Sequence, residues 1–136
     1  MSITAIALIG LVAWSLALTL VLVIARFSAV FKGEGEINKF RPDGTDLNPL
    51  GARITRAHAN SLEYIALPVG LMLLAIASGN VAITDGLAMV FLGSRIAQSV
   101  VHTLSTSKLM VLTRATLFTV QIVIMIIWAC DLYAIT

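Results

Sequence analysis

The chain alternates between four long apolar stretches and the polar segments that separate them. From Ile3 to Ala25 no charged residue occurs, and Arg26 ends the run. Roughly 20 consecutive apolar residues cross a bilayer as a helix, so residues 3–25 are the first expected span. From Phe27 to Gly51 the character changes, with Lys32, Glu34, Glu36, Lys39, Arg41, Asp43 and Asp46 set among Gly and Pro. Within it Arg41-Pro42-Asp43-Gly44 reads as a turn, because Pro presets one central position and Gly supplies a flexible end. Asn48-Pro49 suits a helix start, with Asn as cap and Pro at the first helical position. A second helix is expected from about Leu50 to Ser78, spanning over 52–78. Its first third is polar, the rest is apolar, and Pro68 should bend it. Gly79-Asn80 is a short turn. The third span, 82–104, carries Asp85 near its start and Arg95 inside. After a polar loop at Ser105–Lys108 the fourth, 110–133, carries Arg114 early and Gln121 in its middle. The expected fold class is an all-α membrane protein, a four-transmembrane-helix bundle forming one domain over residues 1–136.

Composition supports that reading. Apolar residues make up 59% of the chain and charged ones only 12%, and a soluble domain this small would expose much of that apolar surface. The net charge of +2 is too small to point to nucleic acid. No Lys or Arg precedes the first apolar run, which is also longer than the core of a secretion signal, so it reads as a retained span. The loop between spans one and two, extended into the second helix, carries Arg26, Lys32, Lys39, Arg41, Arg53 and Arg56. The loop between spans three and four carries Lys108, with Arg114 just beyond. The N-terminus, the turn near Asn80 and the C-terminus carry no basic residue. By the positive-inside rule both basic loops face the cytoplasm and both termini lie on the other side.

The segment RITRAHANSLEY, residues 53 to 64, concentrates polar chemistry at the mouth of span two. At about 100° per residue, Arg53, Arg56, Asn60, Glu63 and Tyr64 share an arc of roughly 100°, while His58 lies off it. In the third helix Arg95, Gln98 and His102 share a face; in the fourth Arg114, Phe118 and Gln121 do. A charge at the centre of a spanning helix costs about 2.5–3.5 kcal/mol on insertion scales, and such residues turn toward the bundle interior or a wet cavity. One polar site near the cytoplasmic end, lined by helices two, three and four, accounts for all three faces. Other readings compete with it. Arg53 and Arg56 could anchor at lipid phosphates. Glu63 needs a partner, with Arg95 or Arg56 the candidates, and such a pair could be purely structural. Gln98 and Gln121 could join helices, the favoured reading for Gln121. Several arginines, a carboxylate and an amide suit a ligand with carboxylates and an ammonium, since arginine grips carboxylates in two-pronged fashion. A small zwitterionic peptide or a phosphorylated lipid headgroup would both answer.

At these residues the chain resembles the MAPEG family, the membrane-associated proteins in eicosanoid and glutathione metabolism. The family pattern Arg-Ala-(His or Gln)-x-Asn-x-x-Glu stands here as Arg56, Ala57, His58, Asn60 and Glu63, with Tyr64 following as in the leukotriene branch. FLGSRIAQSVVH looks like the family's third-helix segment, and INKFRPDG in the first loop looks like bacterial microsomal glutathione transferase-like members. The likeness covers nearly the whole chain. It implies a homotrimer in a bacterial inner membrane with glutathione as co-substrate between subunits, and a role in detoxification. By motif position Arg56, Asn60, Glu63 and Tyr64 would hold glutathione, Arg26 would reach a carboxylate, and Arg95 would lie in the pocket. Gln98 and His102 stand where eicosanoid synthases have His or Tyr, and Tyr; they are further candidates for binding. Arg114 would be catalytic, stabilising the thiolate for attack on a hydrophobic electrophile or lipid hydroperoxide. Phe118 lacks the hydroxyl that a tyrosine gives some members. The alternatives are a non-catalytic lipid- or glutathione-binding scaffold of the same fold, and a structural protein with interhelical ion pairs.

Three features carry less. Two histidines on different helices make a poor metal site, so no metal is expected. His102 could line the pocket, whereas His58 reads as a helix-surface residue. Cys130 lies near the far end of the fourth helix, remote from the polar faces, and reads as an inert thiol.

Overall fold

The computed structural model describes residues 1–135 as five helices. They are α1 (Ile3–Phe31), α2 (Pro49–Glu63), α3 (Ala66–Ala77), α4 (Ala82–Leu104) and α5 (Lys108–Ala134). Helices α2 and α3 form one interrupted span, Pro49–Ala77, so four helical stretches are long and apolar enough to cross a membrane. No strand occurs among the described residues.

Local chemistry sets the helix ends. Asn48 caps α2, its Oδ1 accepting from Gly51 N at 2.9 Å, with Pro49 opening the helix. Ser107 caps α5 through Met110 N. Helix α1 continues past the expected end of its span at Ala25 and closes at Gly33, which adopts φ +70°. Glu34 N donates there to Ala29 O and Gly33 N to Val30 O, the paired bonds by which a left-handed glycine satisfies a helix C-terminus. Gly79, at φ +72°, closes α3 in the same way.

Pro68 shapes the second span, but the interruption falls at Tyr64–Ile65, one turn upstream. Proline has no N–H to give the carbonyl four residues earlier, and its ring crowds that carbonyl. That carbonyl belongs to Tyr64, which instead accepts from Leu67 N at 3.4 Å. The helix is interrupted where that bond is lost.

The core joins all four spans. Ala7 and Leu11 of α1, Met72 of α3, Ala88, Phe91 and Leu92 of α4, and Ile124 and Trp128 of α5 form one buried cluster. The Phe91 and Trp128 rings meet at 5.5 Å. Gly10 lets α1 approach α4, for a Cβ there would stand 2.6 Å from Leu92. At the opposite end from the basic loops, Asp85 Oδ1 accepts from Thr4 N at 2.7 Å and from Thr4 Oγ1 at 2.5 Å, tying α4 to the first turn of α1. Outward positions such as Leu16, Leu20 and Ile24 of α1 and Leu112, Val123 and Ile126 of α5 are exposed, the surface a helix presents to hydrocarbon.

Candidate functional site

The break at Tyr64–Ile65 lies at the head of a polar cleft of about 340 Å³ between α2, α4 and α5. Asn60, Glu63 and Tyr64 come from the last turn of α2, Gln98 and His102 from α4, and Arg114 from α5. Thus six of the nine expected site residues share one hollow. Val111, Ala115 and Phe118 complete its α5 wall. The sequence reading passed over Val111 and Ala115, although they flank Arg114 at −3 and +1 and Phe118 follows at +4, one face of a helix.

Polar atoms in this cleft lack partners within the chain. Asn60 Oδ1 and His102 Nδ1 are both buried with no hydrogen bond. A buried polar atom left unpaired costs about 1–3 kcal/mol. Arg114 lines the same cleft as His102. Arg56 is exposed and stands outside the cleft lining.

Two further arginines, Arg26 and Arg95, also fall outside the cleft lining in the single chain. Arg26 is half-buried beside a different, apolar recess with Val23, Phe27 and Phe40; its guanidinium lies 5.5 Å from the Phe40 ring centre and its Nε has no partner. Arg95 lies behind the cleft rather than in its lining. Its Nη2 donates to the carbonyls of Asn60 and Ser61 at 2.6 and 2.8 Å, and its Nη1 to Oε1 of Gln98 and of Gln121, 3.2 Å each. The expected ion pair of Glu63 with Arg95 or Arg56 does not form. Lys39–Glu36, at 2.8 Å, is the ion pair among the described residues. The break in α2 frees carbonyls that draw the Arg95 guanidinium, and Glu63 stays exposed at the cleft.

The remaining polar residues serve the fold. Gln121 joins α5 to α4 through Gln98, as its helix-joining reading expects. Arg53 Nε donates to Thr103 O at 2.8 Å, closing the end of α4 against α2. His58 meets Thr19 Oγ1 at 3.1 Å, and that hydroxyl already donates to Ser15 O. His58 Nε2 therefore carries the proton.

A second hollow adjoins the first. An apolar groove of about 600 Å³ runs between α3 and α5, lined by residues including Leu67, Gly70, Leu74, Ile122 and Ile126. Tyr64 and Phe118 belong to both hollows, and their rings meet at 5.0 Å and 57°.

A family model describing the MAPEG family matches residues 4–132, nearly the entire chain. The chain belongs to the MAPEG family. Four apolar helical spans fit membership in this membrane family, which is associated with glutathione and lipids. No match to the chain was found among curated proteins or among solved structures. Among its described residues this MAPEG chain holds no group of three or more His, Cys, Asp or Glu side chains placed to bind a metal.

Proposed function

We propose that this MAPEG chain is a membrane-embedded glutathione-dependent transferase or peroxidase, with the polar cleft as its glutathione site. The observation that carries the reading is the junction at Tyr64–Phe118, where a polar hollow opens directly onto an apolar groove. A water-soluble thiol and a bilayer-dissolved electrophile can meet there.

The donor set fits a zwitterionic tripeptide. Glu63 offers a carboxylate for an ammonium, Asn60 an amide, and Arg114 a guanidinium for an anion. Cleft volume lies within the range of small-molecule sites, about 300–1,000 Å³. Exposed Arg56 and the Arg26 of a neighbouring copy would add carboxylate partners in a homotrimer.

Arg114 carries the chemical role. A free thiol has a pKa of about 8.5, so little of it is thiolate at neutral pH. A guanidinium beside the sulfur stabilises the anion and lowers that pKa. The proton leaves to water; the thiolate then attacks the electrophile, forming a carbon–sulfur bond as the leaving group departs. With a lipid hydroperoxide the sulfur takes the terminal oxygen, the O–O bond breaks, and an alcohol leaves. A second glutathione then converts the sulfenic acid to the disulfide and water. The basic loops favour a cleft that faces the cytoplasm, where soluble thiol is supplied, and the first-loop segment Ile37–Gly44 favours a bacterial-type member of an inner membrane.

The test adds glutathione to the purified protein and follows thiolate absorbance in the near ultraviolet, for wild type and for Arg114→Ala. A thiolate signal at neutral pH that the variant loses supports the reading. Binding without that signal points to the non-catalytic scaffold, for which Phe118 in place of a hydroxyl beside Arg114 speaks. Absence of binding removes glutathione from the cleft.

A further inference from the structure

Behind the cleft lies a buried network that the thiol chemistry does not use. Arg95 is only 5% exposed and Gln121 only 1%. Arg95 Nη1 donates to Oε1 of Gln98 and of Gln121; Gln121 Nε2 donates in turn to Gln98 Oε1 at 3.0 Å and to Leu117 O at 3.2 Å.

Donor and acceptor inventory fixes what this network shows to the cleft. A guanidinium has only donors, so both glutamines must turn their oxygens toward it. Gln98 Oε1 accepts from Arg95 and from Gln121, which fills both of its lone pairs. Gln98 also lines the cleft, and its NH2 is the half left for a ligand. Flipping the amide would set that NH2 against two other donors. Gln98 is thus held as a donor toward the cleft.

The same arginine supports the end of α2. In an unbroken helix the carbonyls of Asn60 and Ser61 would accept from the amides of Tyr64 and Ile65. Here both amides turn to Leu62 O instead. Arg95 Nη2 supplies the missing donors. Glu63 and Tyr64, which line the cleft, follow directly on the two clamped carbonyls.

Resting on the glutathione reading, we propose that Arg95 is a positioning residue. It holds the broken end of α2 and commits Gln98 to donate, so the ligand group beside Gln98 is an oxygen or sulfur acceptor, not an ammonium.

A double-mutant cycle on glutathione affinity, with the full chain in lipid nanodiscs, tests this. Gln98→Met removes the donor and should weaken binding about tenfold, the scale of one hydrogen bond to a charged group. Arg95→Lys keeps the charge but not the fork. If Arg95 acts through Gln98, the double variant binds clearly better than the product of the two single effects requires. Additive effects, or a Gln98→Met protein that binds as wild type does, overturn the proposal. Gln121→Met replaces Arg95→Lys in the cycle if the latter fails to fold, since it removes the other partner of Gln98 Oε1. Amide exchange of the ligand-free protein provides a second readout. Loss of the clamp should raise exchange at residues 60–65 at least several-fold, and unchanged exchange overturns the clamp. A wild-type protein that binds no glutathione overturns the function and the ligand half of the proposal, while the exchange result still decides the hold on α2.

Discussion

Single residues in the loop between α1 and α2 show how backbone geometry selects side chains. Gly44 N donates to Arg41 O, closing the Arg41–Gly44 turn, and Gly44 adopts φ +70°. A Cβ at this position would stand 2.7 Å from Thr55 Cβ and Oγ1. Thr55 cannot easily yield, because its hydroxyl is buried and donates to Gly51 O at 2.9 Å. Gly44→Ala should therefore destabilise the fold by about 1–3 kcal/mol, the cost of a strained backbone position, measured as a shift in the thermal unfolding midpoint in detergent. Beside it, Thr45 donates its N–H at 3.1 Å and its hydroxyl at 2.9 Å to Asp43 Oδ1. Those bonds, the backbone one foremost, hold the Asp43 carboxyl below the usual carboxylate range, with the Arg41 charge helping. A carboxyl whose folded pKa is lowered stabilises above its unfolded value of about 3.9 and loses that contribution as pH falls through the folded value. Amide exchange at Thr45, corrected for its intrinsic pH dependence, should rise over that acid interval. In Asp43→Asn the acid-induced rise should vanish.

Among the elements, the interrupted second span matters most for the site. Pro68 was visible in the sequence, and so was the need for a bend. The location was not, because the bond that proline forfeits is counted at the carbonyl four residues back, at Tyr64. Legibility elsewhere followed the same physics. Asn48-Pro49 and the Gly44 turn are local, so short-range rules found them. The polar faces of α2, α4 and α5 have helical spacing, so projection found Asn60, Glu63, Gln98, His102 and Arg114 together. The expected Glu63–Arg95 pair failed because charge matching ignores backbone: two carbonyls released by the break claim the guanidinium, and nothing in residue spacing announces them. Pro68→Ala returns an N–H that can bond Tyr64 O and continue the helix. The new amide should be protected from exchange, and Glu63 and Tyr64 should rotate away from the cleft. Misplacement on that scale can lower turnover by about 100-fold. Turnover equal to wild type with the residue-68 amide protected would separate the break from function.

At the scale of the whole molecule, the proposed homotrimer would add residues of a neighbouring copy to the cleft. The cleft gathers an acid, an amide and Arg114, yet Glu63 and Arg56 are exposed and Arg26 lies beside another recess with an unpartnered Nε. Symmetric association would resolve both features, because a ring of copies sets a surface of one subunit against a different surface of the next. If Arg26 serves the cleft of its neighbour, the function divides between chains in a way that mixing can reveal. Arg26→Ala subunits keep Arg114 but deprive the neighbour; Arg114→Ala subunits keep Arg26 but have a disabled cleft. Either variant alone should show low glutathione-dependent turnover. Co-assembled in equal amounts, they should regain it, because random assortment makes roughly a quarter of the sites whole, each pairing an intact cleft with an intact neighbour. Residues that act within one chain cannot be rescued this way, since every cleft would still carry one defect. Turnover of the mixture no higher than the mean of the two variants would place Arg26 outside the shared site.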